Sequence, residues 1–379
     1  MISKEQVEDL KQRLICQRMV DVNGVKRRCH SKDPSYCAGC AKIHTRHTKF
    51  IIWSGITEKW EPSAQEIEID GNHNLYFVTL TAPTFGKVHR VDKSSSNPTP
   101  CTCDKRQHVS TDTCASTPID SSRYRYREQV LWNVWSNDLY RRTQERLTRR
   151  LPGAEMCSVR EPQKRCVVHY HILVRVPASI SRKKAMKELR GMRTHTVEHD
   201  GETYGWGRQM DVQRVETDSE NVAKAIWYIS KLVGYTTKTI GVTVSGRSEE
   251  MDEFTKKLRE VGATVKCHKS TCKGSECTEK AHEDFGFHGH QFTQTDGWSF
   301  SGLTYKSLQE EMQAYAEAKA AESDDPDAYQ KAMIDDFNRY GIIAEFEMAN
   351  IIGKENLQQV SRERKASAKR WAKAWLSPK

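Results

Sequence analysis

The stretch CVVHYHILVRV, Cys166 to Val176, sets two histidines two residues apart in an alternating pattern. Successive side chains of a strand point to opposite faces, so Val168, Tyr170, Ile172 and Val174 form one apolar row while His169 and His171 share the other face with Leu173. Two imidazoles that look the same way can hold a divalent cation. Downstream, NVAKAIWYISKLVGYTTK supplies Tyr228, Lys231, Tyr235 and Lys238. Tyrosine and lysine three apart share one side of a helix, and Tyr228 to Tyr235 spans two turns, so the four can face one way. Together these groups describe one reaction. A cation held by imidazoles polarises a phosphodiester, a phenol attacks the phosphorus, and an ammonium stabilises charge on the phosphoryl oxygens. The product is a phosphotyrosine and a free hydroxyl on the released strand end. Taken singly, each motif has a plainer explanation, since tyrosines on amphipathic helices are mostly core or interface residues.

A third ligand for the cation can come from RQMDVQRV, where Gln209, Asp211 and Gln213 alternate with Met210 and Val212. Asp211 is the anionic choice, and a solvated carboxylate is its bland alternative. Phosphoryl chemistry suits the hard cations Mg²⁺ or Mn²⁺, with two histidines favouring Mn²⁺.

Nine of the twelve cysteines fall into three clusters. Cys29, Cys37 and Cys40 lie beside His30, His44 and His47; Cys101, Cys103 and Cys114 surround His108; Cys267, Cys272 and Cys277 precede His282. Three thiolates and one imidazole match a tetrahedral structural Zn²⁺, with His44, His108 and His282 as the imidazole ligands. The simpler explanation is buried free thiols and unrelated surface histidines, and Cys16, Cys157 and Cys166 are taken as such thiols.

The elements that must position these groups follow from pattern. LYFVTLTAP, Leu75 to Pro83, reads as a strand ended by proline, and YREQVLWNVWSNDLYRRTQERLTRRL, Tyr126 to Leu151, as a long amphipathic helix. The histidine strand, a helix near Ser181 to Arg193, the strand RQMDVQRV and a helix over Asn221 to Lys238 follow. This alternation predicts an α+β fold with a sheet backed by helices. Three regions are expected: a zinc-binding module over 1–65, a catalytic domain over 66–300 with Cys-rich insertions at about 93–122 and 264–283, and a helical C-terminal region over 301–379.

The net charge of +10 suits a polyanionic partner. The segment from Lys354 to Lys379 carries eight Lys or Arg against Glu355 and Glu363, with Trp371 and Trp375 one helical turn apart, so phosphate contact competes there with a merely solvated helix. The charged start MISKEQVEDLKQRL lacks the apolar core of a signal peptide, and no apolar run approaches a membrane span, so a cytoplasmic protein without a membrane partner is expected.

In order along the chain, FVTLTAPTFGKVHR, VVHYHILV, WGRQMDVQRV and WYISK resemble the HUH endonucleases, and among them the replication initiators of actinobacterial rolling-circle plasmids. CTCDK, VLWNVWSNDLYRRT and FGFHGHQFT add to the resemblance, which covers about Cys29 to Phe300. It implies a nuclease domain with a central antiparallel sheet, His169 and His171 as metal ligands, Tyr228 as the nucleophile and Lys231 as its helper, acting on origin DNA to leave a 5′-phosphotyrosine and a free 3′-hydroxyl, with a host helicase and polymerase as partners. One departure weakens Tyr235 as a second nucleophile: Leu232, Val233 and Gly234 intervene after Lys231, and glycine weakens a helix. A transposase or relaxase with the same chemistry, or a non-catalytic zinc-finger DNA-binding regulator, are the alternatives.

Overall fold

The computed structural model describes residues 12–22, 25–57, 72–89, 108, 114–216, 225, 228–229, 249–272, 277, 279–299, 302–325 and 327–337. The basic stretch after Lys354 lies outside them, as do Cys101, Cys103, Lys231, Tyr235 and Lys238.

An antiparallel hairpin, β1 (Val20–Val22) and β2 (Val25–Arg27), precedes helix α1 (Ala38–Thr57). The central sheet has five antiparallel strands in the order β8-β3-β5-β4-β9: β3 (His73–Thr81), β4 (Glu155–Pro162), β5 (Val168–Pro177), β8 (Met210–Val215) and β9 (Phe292–Gln294). A small hairpin, β6 (Thr196–His199) and β7 (Glu202–Gly205), stands apart from it. The remaining helices are α2 (Tyr126–Arg150), α3 (Arg182–Gly191), α4 (Glu249–Thr264), α5 (Tyr305–Ala321) and α6 (Ala328–Phe337). The mixed fold with a central antiparallel sheet is therefore as expected.

The histidine strand explains its own orientation. Tyr170, Ile172 and Val174 are buried in one cluster with Tyr76, Val78 and Leu80 of β3 and Val130, Leu139 and Leu147 of α2. Burying aliphatic side chains of this size contributes about 1.5–3 kcal/mol each, so this face turns inward and the imidazoles turn to the opposite one. Tyr170 stacks on Tyr140 of α2 with ring centroids 4.8 Å apart. Helix α2 also holds the entry to β5 through buried amides: Gln129 Nε2 donates to the Arg165 carbonyl at 2.8 Å, and Asn133 Nδ2 donates to the Cys166 carbonyl at 2.9 Å.

The histidine-bearing face packs on a second cluster, in which Phe77, Val159 and Leu173 meet Ile51, Ile52, Trp53 and Ile56 of α1, and Leu308, Met312, Met333 and Ile334 of α5 and α6. Segments from all three expected regions thus share this core. At the far end of β3, Gly207 donates its N–H to the Thr81 carbonyl at 2.7 Å, and a Cβ there would sit 2.2 Å from the Ala82 carbonyl oxygen. Only glycine lets the chain enter β8 this close to β3. Among the described residues, no helix is long and apolar enough to cross a membrane.

Candidate active site and metal centres

Sheet register brings the histidines to their neighbours. Directly opposed residues share a face, and His171 is opposed by Thr79 of β3 on one side and Val159 of β4 on the other, while His169 is opposed by Thr81 and Glu161. Glu161 Oε2 lies 3.0 Å from His171 Nε2, and Thr79 Oγ1 lies 3.3 Å from His171 Nδ1. The two imidazole centroids are 6.3 Å apart. His169 Nδ1 lies 3.3 Å from Gln163 Nε2. Burial first, then the charges of His171 and Arg165, hold His169 well below the ordinary imidazole value, so it is neutral and able to donate a lone pair near pH 7.

Tyr228 is helical and packs on this same face: its ring lies 5.8 Å from the His171 ring and 5.4 Å from the Phe77 ring, edge-on to each. Its flanking residues Ala225 and Ile229 are fully buried in the core behind the sheet. Asp211 stands farther off. It opposes Thr79 on the side away from His171, two strand spacings or roughly 9–10 Å across the sheet, and its carboxylate accepts from Gln213 Nε2 at 2.6 Å. The acidic group that the structure brings to the pair is Glu161, on a strand whose sequence carries no clear alternation.

The geometry bears on whether the pair suits a hard cation. Octahedral ligands at about 2.1 Å from an ion stand about 3.0 Å apart at neighbouring vertices, the separation between His171 Nε2 and Glu161 Oε2. Of the donors here, the carboxylate suits a hard cation and the two imidazoles suit a softer one, a mixed set that Mn²⁺ accepts more readily than Mg²⁺. Among the described residues, the groups with three or more donors within 4.8 Å of one another are the three Cys-rich ones, and His169 is not drawn into so tight a group.

The first Cys-rich centre revises its expected ligand set. Cys16 joins Cys29, Cys37 and Cys40, and His44 does not. The sulfurs of Cys16 and Cys29 are 3.8 Å apart, those of Cys29 and Cys40 3.6 Å, and those of Cys16 and Cys37 3.8 Å. A tetrahedral zinc with bonds of about 2.3 Å requires sulfur separations of about 3.8 Å, so four thiolates here fit Zn²⁺. Burial raises the Cys37 thiol, but hydrogen bonds from the Cys40 and Gln17 backbone outweigh it and hold the group at about 7. Four thiolates about one Zn²⁺ leave a net charge of −2, and the buried Arg28 guanidinium beside Cys40 opposes it. His44 instead packs its ring 4.6 Å from that of Tyr305, on α5. Burial, then Lys32 and His290, lower it to about 3. Spacing along the chain conceals Cys16, because the β1–β2 hairpin separates it from the other three cysteines.

In the third centre, Cys267, Cys272, Cys277 and His282 converge. The sulfurs of Cys267 and Cys277 are 3.9 Å apart, and His282 Nε2 is 3.4 Å from Cys272 Sγ. His282 Nδ1 donates to the Gly262 carbonyl at 2.7 Å, which leaves Nε2 as the lone-pair nitrogen, the usual second contact of a zinc-bound imidazole. In the middle cluster, His108 and Cys114 meet His89, which spacing alone does not suggest; His89 Nδ1 is 3.1 Å from His108 Nε2, and Cys114 Sγ is 3.6 Å from His108 Nδ1.

Known proteins resemble this chain along most of its length. The family described as "Replication initiator protein, pSAM2" matches residues 18–359. A replication initiator protein of Streptomyces ambofaciens is 25% identical over an alignment of 264 residues, with 60% of this chain and 56% of that relative covered. The match thus spans little more than half the relative's length. No solved structure matches. The chain belongs to the pSAM2-type replication initiator family.

Proposed function

We propose that this protein is a rolling-circle replication initiator that nicks origin DNA through a tyrosine of the HUH type. The observation that carries this reading is the ring of Tyr228 packed 5.8 Å from the His171 ring, on the face of the sheet that also presents Glu161 and His169. A divalent cation bound at these groups would supply Lewis-acid polarisation of a phosphodiester. His169, His171 and Glu161 would hold it, Glu161 here replacing Asp211 as the acidic ligand.

The chain's own part is positioning and bond exchange. The Tyr228 oxygen gives up its proton to solvent and forms a bond to the phosphorus. The bond from phosphorus to the 3′ oxygen breaks, and that oxygen takes a proton to become the free 3′-hydroxyl primer. The 5′ phosphate stays on Tyr228 until a 3′-hydroxyl attacks it and reverses the exchange, which rejoins the strand. Lys231, one helical turn on in the sequence, is the candidate for stabilising the phosphoryl oxygens, and Tyr235 for a second transfer. A host helicase would unwind the duplex and a polymerase would extend the exposed primer.

The test uses the full chain with single-stranded oligonucleotides tiled across its replicon's origin, in Mn²⁺, on a denaturing protein gel. A covalent adduct mapped to Tyr228, lost in Tyr228→Phe and retained in Tyr235→Phe, is the expected result. His169→Ala and His171→Ala should abolish the adduct while DNA binding persists, because phosphate and base contacts come from other surfaces. Specific binding without any covalent product would favour a DNA-binding regulator instead.

A further inference from the structure

His171 has one partner on each ring nitrogen, and the two partners differ in kind. Glu161, at 3.0 Å from Nε2, is a carboxylate and accepts only. Thr79, at 3.3 Å from Nδ1, carries a hydroxyl that both donates and accepts. With the site free of cation, the acceptor-only Glu161 requires a proton on Nε2, and the Thr79 hydroxyl can donate to an Nδ1 lone pair. With a cation on Nε2, the proton must sit on Nδ1, and the same Thr79 oxygen accepts it. A backbone carbonyl or amide could serve one of these states but not both.

The arrangement is particular to this position. Thr79 lies directly opposite His171 on the same face of the β3–β5 pair, and its β-branched side chain has few rotamers to lose in a strand. Thr81, opposite His169, cannot act alike, because its hydroxyl donates to the Gln209 carbonyl at 2.6 Å. We infer that Thr79 is a positioning residue that holds the His171 ring in place through both tautomers, so that cation binding costs no reorientation. The inference rests on the reading of His171 as a ligand through Nε2.

The experiment titrates Mn²⁺ alone into the full-length, zinc-loaded protein and follows the free-ion EPR signal. Thr79→Val removes the hydroxyl at nearly constant volume and should weaken Mn²⁺ binding about 10–100-fold. Thr79→Ser keeps the hydroxyl and should bind within a few-fold of wild type. Zinc content should be the same in all three, and Thr79→Ala serves in place of valine if valine disturbs the strand. His171→Ala is the control: Mn²⁺ binding unchanged in that variant would remove His171 from the ligand set and the inference with it. Loss of binding in His171→Ala with wild-type binding in Thr79→Val would overturn the role of Thr79 alone. Serine as weak as valine would show that the hydroxyl is not what matters, and would overturn it too.

Discussion

Replacing Cys16 by serine should remove one zinc from the protein, and replacing His44 by alanine should not. Cys16 Sγ is 3.8 Å from the sulfurs of both Cys29 and Cys37 and accepts the Cys29 N–H at 3.4 Å, so a zinc ion held by four thiolates would have Cys16 at one corner. Binding of zinc at such structural sites is worth about 10–16 kcal/mol. Shared evenly over four thiolates, that is about 2.5–4 kcal/mol per ligand, or on the order of 10²–10³-fold in affinity. Dialysis against a zinc buffer poised between the two affinities, followed by elemental analysis, separates the variants: Cys16→Ser retains one zinc fewer than wild type, and His44→Ala retains the full number. His44→Ala instead loses its packing on Tyr305 and should lower the thermal midpoint. One zinc lost from His44→Ala with none lost from Cys16→Ser would refute the four-thiolate assignment and restore the imidazole ligand.

His44 also gives a pH dependence. Its folded value of about 3 lies below the ordinary 6.5, so between those limits the unfolded chain takes up the proton that the folded chain refuses. Stability is unaffected above about pH 6.5 and falls as pH drops through the window, by up to about 1.4 kcal/mol per pH unit from this group. Urea midpoints from pH 7 to 5 should therefore decline less steeply in His44→Gln than in wild type; parallel declines would contradict the assignment. His282→Ala should release the zinc of the third centre while leaving that of the first, read by zinc content together with Cys267→Ser as the matched loss. Gly207→Ala should destabilise the chain by about 2 kcal/mol or more, since its Cβ would meet the Ala82 carbonyl oxygen at 2.2 Å; an unchanged urea midpoint would show that the β3–β8 crossing yields.

The histidine strand is legible in the sequence because one of its faces is wholly apolar: the period-2 pattern of Val168, Tyr170, Ile172 and Val174 survives in the buried row of β5. The strand before it is not. In β4, Cys157 and Val159 are buried toward one face and Met156, Ser158 and Arg160 toward the other, so both faces meet protein and no polar row marks the alternation. Glu161 is hidden with it. Counting back from the turn at Gln163 to Val167, whose ends exchange a backbone hydrogen bond at 2.8 Å, places Glu161 opposite His169. Cys16 and His89 escape notice for another reason: ligands drawn from separate segments leave no spacing signature, and only the folded backbone shows that they meet. Helix α2 matches its expected bounds to within a residue at each end because its buried side, from Gln129 to Leu147, keeps helical spacing along most of its length.

The first zinc centre has a consequence for synthesis of the chain. The Cys16 amide donates to Gln330 Oε1 at 2.7 Å, and Arg27 of the adjoining hairpin pairs with Glu317 at 2.8 Å. The partners of this N-terminal module therefore leave the ribosome some 314 residues after it, which at about 5–20 residues per second is about 15–60 s. Throughout that interval four cysteine thiols sit on a nascent chain whose α5 and α6 do not yet exist. Early capture of zinc would protect them from oxidation and mispairing while α5 and α6 are being made. Zinc supply during translation, as well as zinc supply to the finished protein, would then set how much of the chain reaches its native form.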